Sequence, residues 1–264
     1  MNALATARKG SFSDKSGARV DLALTLPILI AYHLGVVFLQ VKNAMDPVTT
    51  RLLMLADGNR DEYVGLTLAI GVLFVALFAI AGRGQAFRVE KFVQIGLEGV
   101  VYAVAMRFGA DYVVGKMAIA VHAHAPEAAA TAAKAAPLAH PDVLTGIVMS
   151  MGAGFYEELA FRVVLFGLGA KFLVWLFAQQ QLGVVERSPR ISLKAAMLMV
   201  GWSVVSAAVF SGAHYIGSLR DPFDLKSFVF RLVLGLALTL IFVTRGFAAA
   251  VWAHALYDVW VLVL

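Results

Sequence analysis

Apolar residues in this chain gather in long runs separated by short polar stretches. The runs match the roughly 20 residues that a helix needs to cross a bilayer core about 30 Å thick. Leu22–Val41 is the clearest first run, Tyr63–Ala81 the second, and Phe92–Val121 a third, interrupted by Glu98, Arg107, Asp111 and Lys116. Val143–Ala178 is too long for one perpendicular helix and must tilt, bend near Gly152 and Gly154, or split in two. Ala195–Ala213, Phe228–Thr244 and Phe247–Leu264 complete the series. The pattern predicts an all-α fold, a polytopic transmembrane helix bundle of about seven to eight spans.

Four stretches follow from it. Residues 1–21 form a polar leader carrying Arg8, Lys9, Lys15 and Arg19, and 22–121 hold the amino-terminal transmembrane helices. Residues 122–142 are an Ala/His/Pro connector, and 143–264 the carboxyl-terminal transmembrane core. The leader has the charge of a signal peptide, but the run after it exceeds a signal core of about 7–15 residues and lacks a small-x-small cleavage site, so a retained helix is expected. His122, His124 and His140 in the connector read as solvated and receive no function. Arg107 and Asp111 are four apart, able to pair on one helical face, and are expected to tether helices to one another.

Composition removes whole classes of function. The 264 residues are 61% hydrophobic and 15% charged, where soluble domains run about 45–50% and about 25%. A single water-soluble globule is excluded. With no cysteine there is no disulfide framework, thiolate zinc site, iron–sulfur cluster or cysteine nucleophile. The net charge of +5 lies mostly between the apolar runs, where it orients helices and gives no reason to invoke nucleic acid. The leader, the Arg83–Lys91 and Arg187–Lys194 loops and Arg245 alternate with poorer loops if the amino terminus is cytoplasmic and Val143–Ala178 crosses once. The carboxyl terminus is then outside, and a multi-pass protein of a bacterial inner membrane is expected.

Against so apolar a background the ionisable groups after Val143 stand out, since each costs roughly 2.5–3.5 kcal/mol at a helix centre. In Tyr156-Glu157-Glu158-Leu159-Ala160-Phe161-Arg162, Glu158 and Arg162 have the i,i+4 spacing of an ion pair. Glu157 points about 100° away from them. A carboxylate without a cation in low dielectric suits general acid–base work near neutrality. Phe210 and His214 are four apart at the end of the next run, so the ring can direct the imidazole. His254 and Asp258 share a face of the last run. Each group alone also fits an interhelical tie; together, on three helices, they point to chemistry.

The three motifs, Glu157-Glu158-x-x-x-Arg162, Phe210-x-x-x-His214 and His254-x-x-x-Asp258, resemble in order and membrane context those of the type II CAAX prenyl protease and bacteriocin-processing family, also called CPBP or Abi. The resemblance covers roughly Val143 to Leu264. It implies an intramembrane glutamic endopeptidase in which Glu157 and His214 activate water, Glu158 and Arg162 order the site, and His254 with residue 258 stabilises the oxyanion. One version of the motif ends in Asn, whereas Asp258, when ionised, accepts but cannot donate. It then either stays protonated or, as preferred here, orients His254 to donate alone.

Competing chemistries lack their residues: no His-Glu-x-x-His, no Gly-x-Ser-Gly, and no Gly-x-Gly-Asp after Tyr257-Asp258. No cofactor and no metal is expected, although a carboxylate and two imidazoles from Glu157, His214 and His254 are an acceptable zinc set. The expected partners are the bilayer and a membrane-embedded or lipid-modified protein or peptide substrate, with the site opening to the extracytoplasmic face. A proton-coupled transporter and a non-catalytic membrane scaffold are the alternatives; the crowding of ionisable groups into one half argues against the former.

Overall fold

A computed structural model describes residues 17–43, 45–84, 86–122, 142–182, 191–216 and 221–264. Among these every regular element is helical: α1 (Ala18–Leu39), α2 (Thr49–Leu55), α3 (Arg60–Ala81), α4 (Val89–His122), α5 (Val143–Gly152), a π-helical segment (Ala153–Leu168), α6 (Gly169–Ala178), α7 (Leu193–Ala213), α8 (Leu225–Arg245) and α9 (Phe247–Val263). Among the described residues six helices are long and apolar enough to cross a membrane, and α9 is a shorter apolar helix beside them. The all-α transmembrane bundle expected from the pattern of apolar runs is what forms. Connector residues 123–141 and leader residues 1–16 lie outside the described residues, and α1 already begins at Ala18.

Helix starts follow from capping. Asn59, Asp142, Ser192 and Asp224 each accept backbone N–H bonds from the first turn of α3, α5, α7 and α8. The Thr145 hydroxyl and amide also hold the Asp142 carboxyl below the usual carboxylate range. α9 has no cap of its own. Gly246, with φ 103°, turns the chain out of α8, and Asp21 of α1 accepts the Ala248 N–H at 3.2 Å.

The long run Val143–Ala178 neither splits nor breaks at Gly152. It runs as one helix whose middle changes to i→i+5 bonding from Ala153. Helix α2 was hidden from the apolar pattern, because seven residues are too short to register as a run.

The centre of the bundle is α9, which packs against α1, α4, α5, α8 and the π segment. Ala248, Ala249, Ala250 and Ala253 are fully buried there, and such small residues let helices approach closely in a bilayer. Gly154 is a point of closest approach: a Cβ there would stand 2.7 Å from Ala255 Cβ and 2.8 Å from the Val251 carbonyl oxygen. Glu98 of α4 takes two contacts of 2.7 Å from the Arg245 guanidinium, locking α4 to the end of α8. Arg107 and Asp111 pair within α4 on its exposed surface. Among the described residues this ion pair lies within one helix in place of the expected tether between helices, because the i,i+4 spacing satisfies both groups locally. Val72, Leu73 and Leu77 of α3 and Leu97, Val101 and Phe108 of α4 face outward, as a lipid-facing surface requires.

Candidate active site

The π segment carries both glutamates into the interior, where Glu158 is fully buried and Glu157 nearly so. Glu158 Oε2 stands 3.1 Å from Arg162 Nε, and its Oε1 accepts a hydrogen bond from His254 Nδ1 at 2.7 Å. One carboxylate thus holds a cation on its own helix and an imidazole on α9. Arg162 is 1% exposed, and its guanidinium lies over the Phe210 ring at 4.3 Å. Phe210 also meets His214 and His254 edge-on at 5.3 and 6.0 Å. This single ring of α7 packs against a basic group from each of the three motifs.

Glu157 is placed differently. Its Oε2 is buried, has no hydrogen-bond partner among the described residues, and lies 4.0 Å from Nε2 of both His214 and His254. Four ångströms is too long for a direct bond and suits one bridged by water. The carbonyl oxygen of Phe210 can only accept, so His214 Nδ1, at 3.0 Å, must donate to it. In neutral His214 this leaves Nε2 as a lone-pair acceptor directed toward Glu157.

His254 is oriented by Glu158. Asp258, the partner preferred from spacing, stands 3.6 Å from His254 Nε2, beyond a good hydrogen bond. Because Nδ1–H is committed to Glu158, Nε2 donates only when both ring nitrogens are protonated. Three carboxylates, of Glu157, Glu158 and Asp258, surround that ring. All seven residues singled out in the motifs, Glu157, Glu158, Arg162, Phe210, His214, His254 and Asp258, therefore lie in one connected cluster. Among the described residues no group of three or more His, Asp or Glu side chains is arranged to hold a metal ion.

The amino-terminal half adds residues that the motifs do not contain. Asn43, just after α1, directs its amide nitrogen to Glu157 Oε1 at 3.4 Å. Beside it Tyr32 donates to Asp46 at 2.8 Å, and His33 bonds the hydroxyls of Tyr63 and Tyr156 at 2.8 and 2.6 Å. His33 is an ionisable group inside the first apolar run, so the rule that exposed His254 applied equally to it. Asn43 carries no comparable signal, being a polar residue in a polar stretch.

No curated protein and no solved structure matches the chain. A family model, Rce1-like, type II CAAX prenyl endopeptidase, matches residues 139–260. That stretch, a little under half of the chain, holds every motif residue of the cluster, and over it this multi-pass membrane protein is similar to the Rce1-like type II CAAX prenyl endopeptidases.

Proposed function

We propose that the protein is an intramembrane glutamic endopeptidase that cleaves a membrane-associated or lipid-anchored protein near its terminus. The observation that carries this reading is Glu157 Oε2, buried, without a hydrogen-bond partner among the described residues, and equidistant from two imidazoles. A water there donates one proton toward Glu157 Oε2 and the other toward His214 Nε2, which leaves its oxygen lone pair free to attack. As the new C–O bond forms, a proton passes to Glu157. The carbonyl π electrons move onto oxygen, where His254 Nε2–H stabilises the oxyanion when that ring is doubly protonated. Collapse re-forms the carbonyl and breaks the C–N bond, and the proton passes to the departing amine. Glu158 keeps His254 aimed, and Arg162 balances the charge of Glu158.

The family match supports a CAAX-type protease, and the low-dielectric setting suits a substrate already in the bilayer. The lysine and arginine distribution supports a cytoplasmic amino terminus and a site open to the extracytoplasmic face. The test is Glu157→Gln in the full chain, reconstituted with a farnesylated CAAX-box peptide and compared by terminal-peptide profiling of membrane proteins. Inserted, folded protein with cleavage abolished is expected; a Glu157→Gln enzyme with full activity overturns the reading.

A further inference from the structure

Glu157 has two carboxylate oxygens, and the bundle treats them unequally. Oε2 faces the imidazoles, while Oε1 is reached by Asn43 Nδ2 at 3.4 Å. The orientation of that amide is determined by its other end. Asn43 Oδ1 accepts the Met45 N–H at 2.7 Å, so the nitrogen is the atom left to face Glu157.

The short stretch carrying Asn43 is held at several points. The Asn43 backbone N–H donates to the Tyr32 hydroxyl at 2.9 Å, and that hydroxyl donates to Asp46 Oδ2 at 2.8 Å. Asp46 Oδ1 accepts the N–H groups of Val48 and Thr49 at 2.8 and 3.0 Å, and the Thr49 hydroxyl bonds Oδ2. The Tyr32 ring in turn packs closely against the end of α5, where a Cβ on Gly152 would fall 2.3 Å from it. Tyr32, Asn43, Asp46 and Thr49 are all buried. A network of this completeness is rigid, and at its tip is one donor aimed at one carboxylate oxygen.

We propose that Asn43 is a positioning residue for Glu157: its amide holds Oε1 and so presents Oε2 to His214 and His254. The proposal rests on the reading of Glu157 as the water-activating base. It also makes the site depend on a residue outside 139–260, so the stretch matched by the family does not contain all of the machinery.

Two variants of the full chain test it. Asn43→Asp keeps an oxygen for the Met45 N–H but, when ionised, offers Glu157 no donor; Asn43→Ala removes both and serves if the aspartate protein does not fold. The first readout needs no substrate: the carboxylate stretch of Glu157 by difference infrared spectroscopy, assigned through its loss in Glu157→Gln. The second is the kcat and KM for the farnesylated peptide. The band is expected to move in both variants, and kcat to fall about 10- to 100-fold, the worth of a hydrogen bond to a charged group. KM stays within about twofold, because binding the peptide does not use this contact.

A folded Asn43→Asp protein whose band is unmoved, or whose kcat is within about threefold of the parent, overturns the proposal. Inactive Glu157→Gln beside unaltered Asn43→Asp sinks the role of Asn43 alone. Active Glu157→Gln sinks the base, and with it any catalytic consequence of Asn43. If the peptide is not a substrate, the infrared band decides.

Discussion

Glu158 and His254, 96 positions apart in the chain, share a hydrogen bond of 2.7 Å in the interior of the bundle. The same carboxylate stands 3.1 Å from Arg162, so three ionisable groups from two helices meet where almost no water reaches.

Glu158→Gln should therefore act on stability as well as activity. The amide preserves shape but leaves Arg162 a buried cation without its counter-charge, at a cost of about 3–5 kcal/mol. Thermal unfolding in detergent is expected to shift down, and the double variant Glu158→Gln, Arg162→Met to recover part of the loss. An unchanged melting temperature would show that Arg162 draws its compensation elsewhere.

Asp258→Asn is expected to keep activity within about tenfold of the parent. Asp258 is 3.6 Å from His254 Nε2 and is not the group that fixes that ring; an amide adds a donor beside the proposed oxyanion site. A loss of about a thousandfold would instead make the acid itself essential. Steady-state kinetics on the farnesylated peptide separate the two outcomes.

Gly154→Ala should wedge the π segment away from α9. Its Cβ would meet Ala255 Cβ at 2.7 Å and the Val251 carbonyl oxygen at 2.8 Å. Overpacking of this kind costs about 1–3 kcal/mol. Activity is expected to fall further than stability, because Glu157, Glu158 and His254 sit on the two elements being separated. Ala255→Gly relieves only the contact with the Ala255 side chain and leaves those with the Val251 carbonyl oxygen and the Ala255 backbone nitrogen, so the double variant should recover stability in part, as read by thermal unfolding.

The orientation is open to a labelling test that the composition makes clean. The chain has no cysteine, so Ile216→Cys, at an exposed position two residues beyond His214, introduces a single thiol. Membrane-impermeant maleimide is expected to label it from the extracytoplasmic side. Labelling from the cytoplasmic side alone would reverse the proposed topology.

The motif residues were legible because burial of charge in lipid is costly: a Glu, His or Asp inside an apolar run is an anomaly that composition exposes. His33 had the same signal but lacked a recognisable neighbour at helical spacing, since its partners Tyr63 and Tyr156 lie on other helices. Asn43 had none. The pairing of Glu158 with Arg162 followed from the i,i+4 spacing, whereas its bond to His254 did not, because nothing local relates positions 96 apart.

By itself the sequence determined that this chain is a multi-span helical membrane protein without thiol chemistry, and which acids and histidines its interior would have to accommodate. Run length against bilayer thickness and the cost of a charge in hydrocarbon are properties of residues along a line, and they need no fold. The tertiary structure alone decided which oxygen of which glutamate faces which nitrogen. That depends on the π register from Ala153, the close contact at Gly154 and the clamp that holds Asn43. Distances of a few ångströms between helices are set by packing, and packing is not written in any one segment.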